Sequence, residues 1–325
     1  MQCVIYHPLH LDGTFGLTPN TTTKRDMVQF VSEHDCTDSG NVTELSPESL
    51  DRFCSTPSFI GVLTHNNDIV GTMITPIFRA QYKGTSIITT YTTFLCIHKS
   101  HRSSGLAMGL IRAIMKEGYV RYGINHGYYL TFAAHHSIST KIESWYRPIN
   151  IKTAGDAGFT LQSFSARGDR GNARQRLAYH VPKPSVLPVK AAPETYDIIL
   201  KILQSGDLYL TPTKQELEWL CRCFDVYTVG THSLFMLFPM VSLISSTGKR
   251  VRNAQVALMI GDALPQALWI ANGAGYDLLY GWCSSEVTAT RVTNIRGLVT
   301  MTGAYMESYN TRILIPNDRM MVPIF

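Results

Sequence analysis

"FLCIHKSHRSSGLAMGLIRAIMKEG", residues 94–118, decides how the rest of the chain is read. It opens on an apolar run of strand character. A loop follows that holds His98, Lys99, His101 and Arg102, then Ser103, Ser104 and Gly105. From Leu106 onward apolar residues recur every three to four positions, which predicts a helix from Leu106 to Tyr122. Small residues and cations at a strand-to-helix turn point to an anion. The first N–H groups of a helix lack partners within it, and the aligned peptide dipoles add partial positive charge there. Lys99 and Arg102 place formal charge at the rim of such a site.

Upstream, three strand-like runs (59–65, 69–82 and 86–98) are separated by Asn-Asn-Asp and Lys-Gly-Thr turns. Two helices precede them, over 25–34 and from Pro47, where Ser46 is the candidate N-cap. Downstream the pattern predicts a strand over 128–134, a short helix around 141–146 and a strand over 174–181. The stretch VPKPSVLPVKAAP, residues 181–193, carries four prolines and marks a domain boundary. Beyond it come helices over 194–203 and 212–223, the second with Thr211 as candidate N-cap. Strands over 227–229, 234–238 and 255–260, a helix over 264–274 and the YDLLYGW strand complete the series. The order helix, helix, three strands, helix, strand thus occurs twice. The expectation is α/β architecture with mixed sheets, in two tandem domains of related, pseudo-twofold design, residues 1–182 and 183–325.

The totals agree with a packed globular chain. Of 325 residues, 45% are hydrophobic and 16% charged, with a formal net charge of +5. No block of like charges occurs, so a small anionic ligand is expected and nucleic acid is not. Seven cysteines at irregular spacing read as free thiols of a reducing compartment. MQCVIYHPLHLDG lacks the pattern of a secretory leader, and the longest apolar runs are too short to cross a membrane. The expectation is a cytoplasmic monomer without stable membrane insertion.

At the level of motifs, R-x-x-G-x-A over Arg102–Ala107 resembles the coenzyme-A pyrophosphate loop of GNAT-type acetyltransferases. The wider stretch TFLCIHKSHRSSGLAMGLI is similar to the N-F-L-C-V-H-K and R-S-x-x-x-A-P segments of N-myristoyltransferases, the glycylpeptide N-tetradecanoyltransferase family. SWYRPINIKTAGDAGF (144–159), YLTPTKQELEWL (209–220) and GYDLLYGW (275–282) resemble further segments of that family in the same order. The resemblance implies an acyl-CoA-binding GNAT-like first domain and a second that contributes the acceptor-peptide groove. It implies transfer of a long-chain acyl group, myristoyl, from CoA to an N-terminal amine, glycine by expectation, of a protein or peptide. Myristoyl-CoA is then a co-substrate, with no prosthetic group and no metal.

The resemblance also assigns roles. Main-chain amides of Phe94 and Leu95 polarise the thioester carbonyl, and Cys96 and Ile97 continue that strand of the acyl-CoA site. Lys99, Arg102, Ser103, Ser104, Gly105, Leu106 and Ala107 surround the CoA phosphates. Thr131 lies near the acceptor amine, and the terminal carboxylate on Phe325 takes the ammonium's proton. Attack is direct, since an α-amine of pKa about 8 must first lose a proton and no cysteine intermediate is needed. Departures fall on the acceptor side: the family's acidic loop reads Asp35-Cys36-Thr37-Asp38, and Tyr-rich segments become Leu234–Pro239 and Ala254–Met259. A second reading therefore stays open, an acyl-CoA-binding scaffold with weak or absent turnover.

Several residues invite other chemistry. Cys96 on the FLCI strand reads as a buried small hydrophobe. His98 and His101 read as packing or phosphate hydrogen-bonding groups. Adjacent His135 and His136 point to opposite faces of an extended segment, so a shared metal is not expected. The basic segment 166–176 reads as a solvated loop.

Overall fold

The computed structural model describes residues 1–34, 41–131, 140–159, 179–204, 208–244, 247–283, 299–309 and 320–321. Its helices are α1 (Thr21–His34), α2 (Pro47–Cys54), α3 (Leu106–Tyr122), α4 (Ile151–Asp156), α5 (Tyr196–Leu203), α6 (Lys214–Cys223) and α7 (Leu264–Gly273). The strands of the first half are β1 (Gln2–Tyr6), β2 (Asn41–Glu44), β3 (Ser58–His65), β4 (Asp68–Tyr82), β5 (Thr85–Ile97), β6 (His126–Thr131) and β7 (Thr140–Pro148). The second half supplies β8 (Val189–Lys190), β9 (Leu208–Leu210), β10 (Asp225–Val229), β11 (Ser233–Ile244), β12 (Lys249–Ile260), β13 (Leu278–Cys283), β14 (Val299–Tyr309) and β15 (Met320–Met321).

Local chemistry sets most boundaries. Asn66 (φ 52°) with Asn67 (φ 70°), and Lys83 (φ 46°) with Gly84 (φ 83°), form two-residue turns whose positive φ values match the twist of the hairpins β3–β4 and β4–β5. The Ser46 hydroxyl accepts from Ser49 N at 3.0 Å and starts α2. The cap of α6 is Thr213 rather than Thr211. Thr213 and Glu216 form a reciprocal box, at 3.2 Å from Glu216 N to the threonine hydroxyl and 2.8 Å from Thr213 N to the carboxylate.

The strand order is β1-β3-β4-β5-β6-β14-β7-β13-β12-β11-β10-β8. The twofold pattern is visible in the pairing itself. β5 runs parallel to β6 as β12 does to β13, with α3 and α7 as the respective crossovers. β14, from the second half, is antiparallel to β6, and β7, from the first, is antiparallel to β13. The two exchanged strands then pair with each other, so the halves share one continuous sheet.

This exchange explains a correction: the short helix expected around 141–146 is the strand β7. As an interior strand it is covered on both sides, and Ile142, Ser144, Trp145, Tyr146 and Arg147 are all buried, which hides the period-two alternation. Pro239 within β11 is tolerated because it lies between the stretches paired on the outer side by β10 (through Leu237) and β2 (from Val241). Helices α1, α2, α5 and α6 pack into one core that draws on both halves. On the opposite face α3 covers Phe59, Leu63, Met73 and Ile77, and α7 covers Phe235, Leu237 and Leu279.

Candidate acyl-CoA site

Two irregularities of β5 build the site. The first is a bulge. Thr72 opposes Cys96 and Ile74 opposes Thr93, so Phe94 and Leu95 face the single residue Met73. Phe94 adopts φ 48°, a left-handed conformation that bulky residues avoid. Thr72, fully buried, donates its hydroxyl to Phe94 O at 3.3 Å, and the Phe94 ring packs edge-on to Phe53. These contacts hold a conformation that costs on the order of 1–3 kcal/mol. The bulge turns main-chain amides of Phe94 and Leu95 out of the regular ladder.

The second irregularity is divergence from β6. Parallel pairing covers only Thr89–Thr92 against His126–Tyr129, while β5 continues to Ile97 and β6 to Thr131. Beyond Thr92 and Tyr129 the strands part, leaving a wedge with Phe94 and Thr131 at equivalent registers on its two sides. Leu95 is exposed there, and Cys96 and Ile97 are buried. Thr131 stays paired with Tyr305 of β14. Thr75, Thr90 and Thr92 bring to this part of the sheet buried hydroxyls that have no hydrogen-bond partner among the described residues. Neither the bulge nor these hydroxyls stood out in the sequence; a run of threonines along β5 was the available signal.

The wedge leads into the turn read at the outset. His98 caps the 3-10 turn Lys99–His101, accepting from Ser100 N at 3.2 Å. Ser103 (φ 64°) and Gly105 (φ 77°) are left-handed, and the Ser104 hydroxyl donates to His101 O. α3 then starts at Leu106 with no capping side-chain hydrogen bond to its first amides among the described residues. Asn20, Ser46, Asn150 and Thr213 fill that place on α1, α2, α4 and α6. The N–H groups around Leu106 and Ala107 are thus available to an anion. Lys99, Ser103, Ser104 and Gly105 are exposed around them.

Arg102 is exposed beside the turn and has a structural task as well. Its Nε donates to Ile97 O at 3.2 Å and its Nη2 to His34 O at 2.8 Å, so the guanidinium also braces the loop against α1. A row of imidazoles flanks the turn: ring centres of His34 and His98 are 4.2 Å apart, His98 and His101 5.8 Å, and His101 and His65 5.6 Å. Burial and then the neighbouring His98 hold His34 below the usual histidine range. No group of three or more His, Cys, Asp or Glu among the described residues is arranged to hold a metal. The equivalent turn of the second half, Gly261-Asp262-Ala263 before α7, carries an acid and no cation. Of these two turns, the first has the chemistry for phosphate. Phe325, His135, His136 and the segment 166–176 lie outside the described residues.

Comparison with known proteins bears on the fold. No family model matches the chain. A stretch of 148 residues, 44% of the chain, is 26% identical to a glycylpeptide N-tetradecanoyltransferase of Emericella nidulans and spans 29% of that protein's length. Among solved structures, Saccharomyces cerevisiae N-myristoyltransferase with bound myristoyl-CoA matches with a TM-score of 0.73 at 15% identity, over 97% of this chain and 84% of that one. The same enzyme with myristoyl-CoA and inhibitors matches with a TM-score of 0.76 at 15% identity, over 98% and 86%. The resemblance read from the motifs is borne out, and the fold is that of the N-myristoyltransferases, a tandem pair of GNAT-like units.

Proposed function

We propose that this protein, which has the N-myristoyltransferase fold, transfers a myristoyl group from CoA to the N-terminal glycine amine of an acceptor protein. The observation that carries the reading is the bulge at Phe94–Leu95, set at the mouth of the β5–β6 wedge and joined by the Lys99–Gly105 turn to the uncapped start of α3. That arrangement suits a thioester whose carbonyl oxygen sits on the bulge and whose phosphates sit on the turn.

In this reading residues 1–182 hold acyl-CoA and 183–325 contribute the acceptor groove. Lys99 and the amides at Leu106 and Ala107 meet the phosphates, with Ser103 and Ser104 as further donors. The amides of Phe94 and Leu95 stabilise the oxygen that becomes negative as the amine attacks. The ammonium first gives a proton to a carboxylate, the role the resemblance assigns to Phe325. The neutral amine then attacks the thioester carbon, the C–N bond forms as the C–S bond breaks, and the nitrogen's surplus proton goes to the departing sulfur, so that CoA leaves as its thiol. The resemblance assigns Thr131 to the neighbourhood of the acceptor amine.

The test is calorimetric titration with myristoyl-CoA, acetyl-CoA and free CoA, followed by acyl transfer to Gly-starting peptides. The reading expects tight binding of the long-chain thioester and turnover. Binding to none of the three ends it. A paired test isolates the main-chain role. Leu95→Ala changes an exposed side chain and should leave kcat within about threefold, whereas Leu95→Pro removes the amide and should cost roughly a hundredfold or more. Equal effects of the two would place the oxyanion contact elsewhere.

A further inference from the structure

We propose that the outward face of α3 is an adsorption surface for anionic lipid bilayers. The helix buries Leu110, Ile114 and Gly118. On the opposite side Met108, Arg112, Lys116, Tyr119 and Val120 fall within about 120° of arc. The three apolar members are unusually open for their type, with Met108 50%, Tyr119 63% and Val120 70% exposed. The two cations between them are exposed as well. Glu117 is the helix's only carboxylate; it lies to the side and is ion-paired with Arg121. The face is therefore apolar and cationic and holds no acid.

That combination favours a lipid surface over a protein partner. Long Met, Lys and Arg side chains spread at a bilayer boundary, the stems in the apolar layer and the charges at headgroup phosphates, and Tyr is at home at that depth. A protein partner would be expected to meet fixed charges with fixed countercharges. Two other strongly exposed apolar residues, Phe15 and Leu17, belong to the segment held to the end of α3, where the Tyr122 hydroxyl lies 2.7 Å from His7 Nε2 and 3.0 Å from His10 Nδ1. The exposed cations Lys99 and Arg102 lie just before the helix's other end. Among the described residues no helix is long and apolar enough to cross a membrane, so contact through α3 is peripheral. The proposal does not depend on the acyl-transfer reading.

The test is co-sedimentation of the full chain with vesicles of phosphatidylcholine alone and of phosphatidylcholine containing about a quarter phosphatidylserine. The expected result is at least about tenfold more protein on the anionic vesicles, lost near 0.5 M salt. Two variants locate the surface: a triple change of Met108→Ser, Tyr119→Ser and Val120→Ser, and a double change of Arg112→Gln and Lys116→Gln. Each should reduce binding about tenfold while thermal unfolding stays unchanged; if the triple variant does not fold, the double variant decides. Binding without anionic preference, or variants that bind like the parent, overturns the proposal. So does a dimer by analytical ultracentrifugation that the triple variant dissolves while vesicle binding is absent, since the face would then join copies of this chain.

Discussion

At the scale of single residues, His7 shows how burial sets a proton's behaviour. Its Nδ1 lies 2.7 Å from Ser58 O, a carbonyl, so Nδ1 carries the hydrogen and donates. Nε2 is then bare and accepts from the Tyr122 hydroxyl. Burial lowers the His7 pKa to about 4. An unfolded chain takes up this proton near pH 6.5, whereas the folded chain resists until about 4. Stability from this residue is therefore complete above 6.5, falls as the pH drops towards 4, and is level below that. The loss amounts to roughly 3 kcal/mol at most. Thermal melts at pH 7.5, 6 and 5 should show the decline, and His7→Asn should flatten part of it from a lower starting point. A slope that survives the substitution would assign it to other, partly buried imidazoles such as His34 or His126, both of which desolvation also holds low.

At the scale of elements, the turn from β5 to α3 depends on glycine at one position. Gly105 has φ 77°, and a Cβ there would meet no atom within 4 Å. Gly105→Ala is thus a conformational change without a packing clash, with a strain of roughly 1–2 kcal/mol. If the turn presents its amides to the CoA phosphates, affinity for free CoA should fall about five- to tenfold while the melting temperature drops by only a few degrees. Unchanged CoA affinity would remove the turn from the site. Gly123, the left-handed C-cap of the same helix with open space around it, supplies the control, because its alanine variant should affect stability alone.

At the scale of the whole molecule, the exchange of β7 and β14 makes the halves interdependent. β14 fills the place between β6 and β7, and β7 fills the place between β14 and β13. The Arg79–Glu216 ion pair at 2.6 Å adds a link from β4 to α6. Segments 1–182 and 183–325 produced separately would each expose unpaired interior strand edges. We expect both to aggregate alone, and the intact chain to unfold in one calorimetric transition. Two separated transitions, or a soluble and cooperatively folded half, would contradict this.

What could be read without coordinates follows from how local each signal is. The α3 helix, the two hairpin turns, the Ser46 cap and the small, cationic turn before α3 each depend on a few neighbouring residues, and the repeated element order follows from them. The motifs FLCIHK and R-x-x-G-x-A carried the resemblance because main-chain chemistry at a turn leaves a mark in small residues and cations. Tertiary structure alone decided the rest. The left-handed Phe94 is held by Thr72 and Phe53, far away in the chain. Arg102 turns towards His34 because α1 happens to pass there, and β7 reads as a helix until its two flanking strands are known. Local propensity names elements. Which strands meet, and which main-chain amides are left free by the meeting, is settled only by packing between residues that the sequence holds far apart.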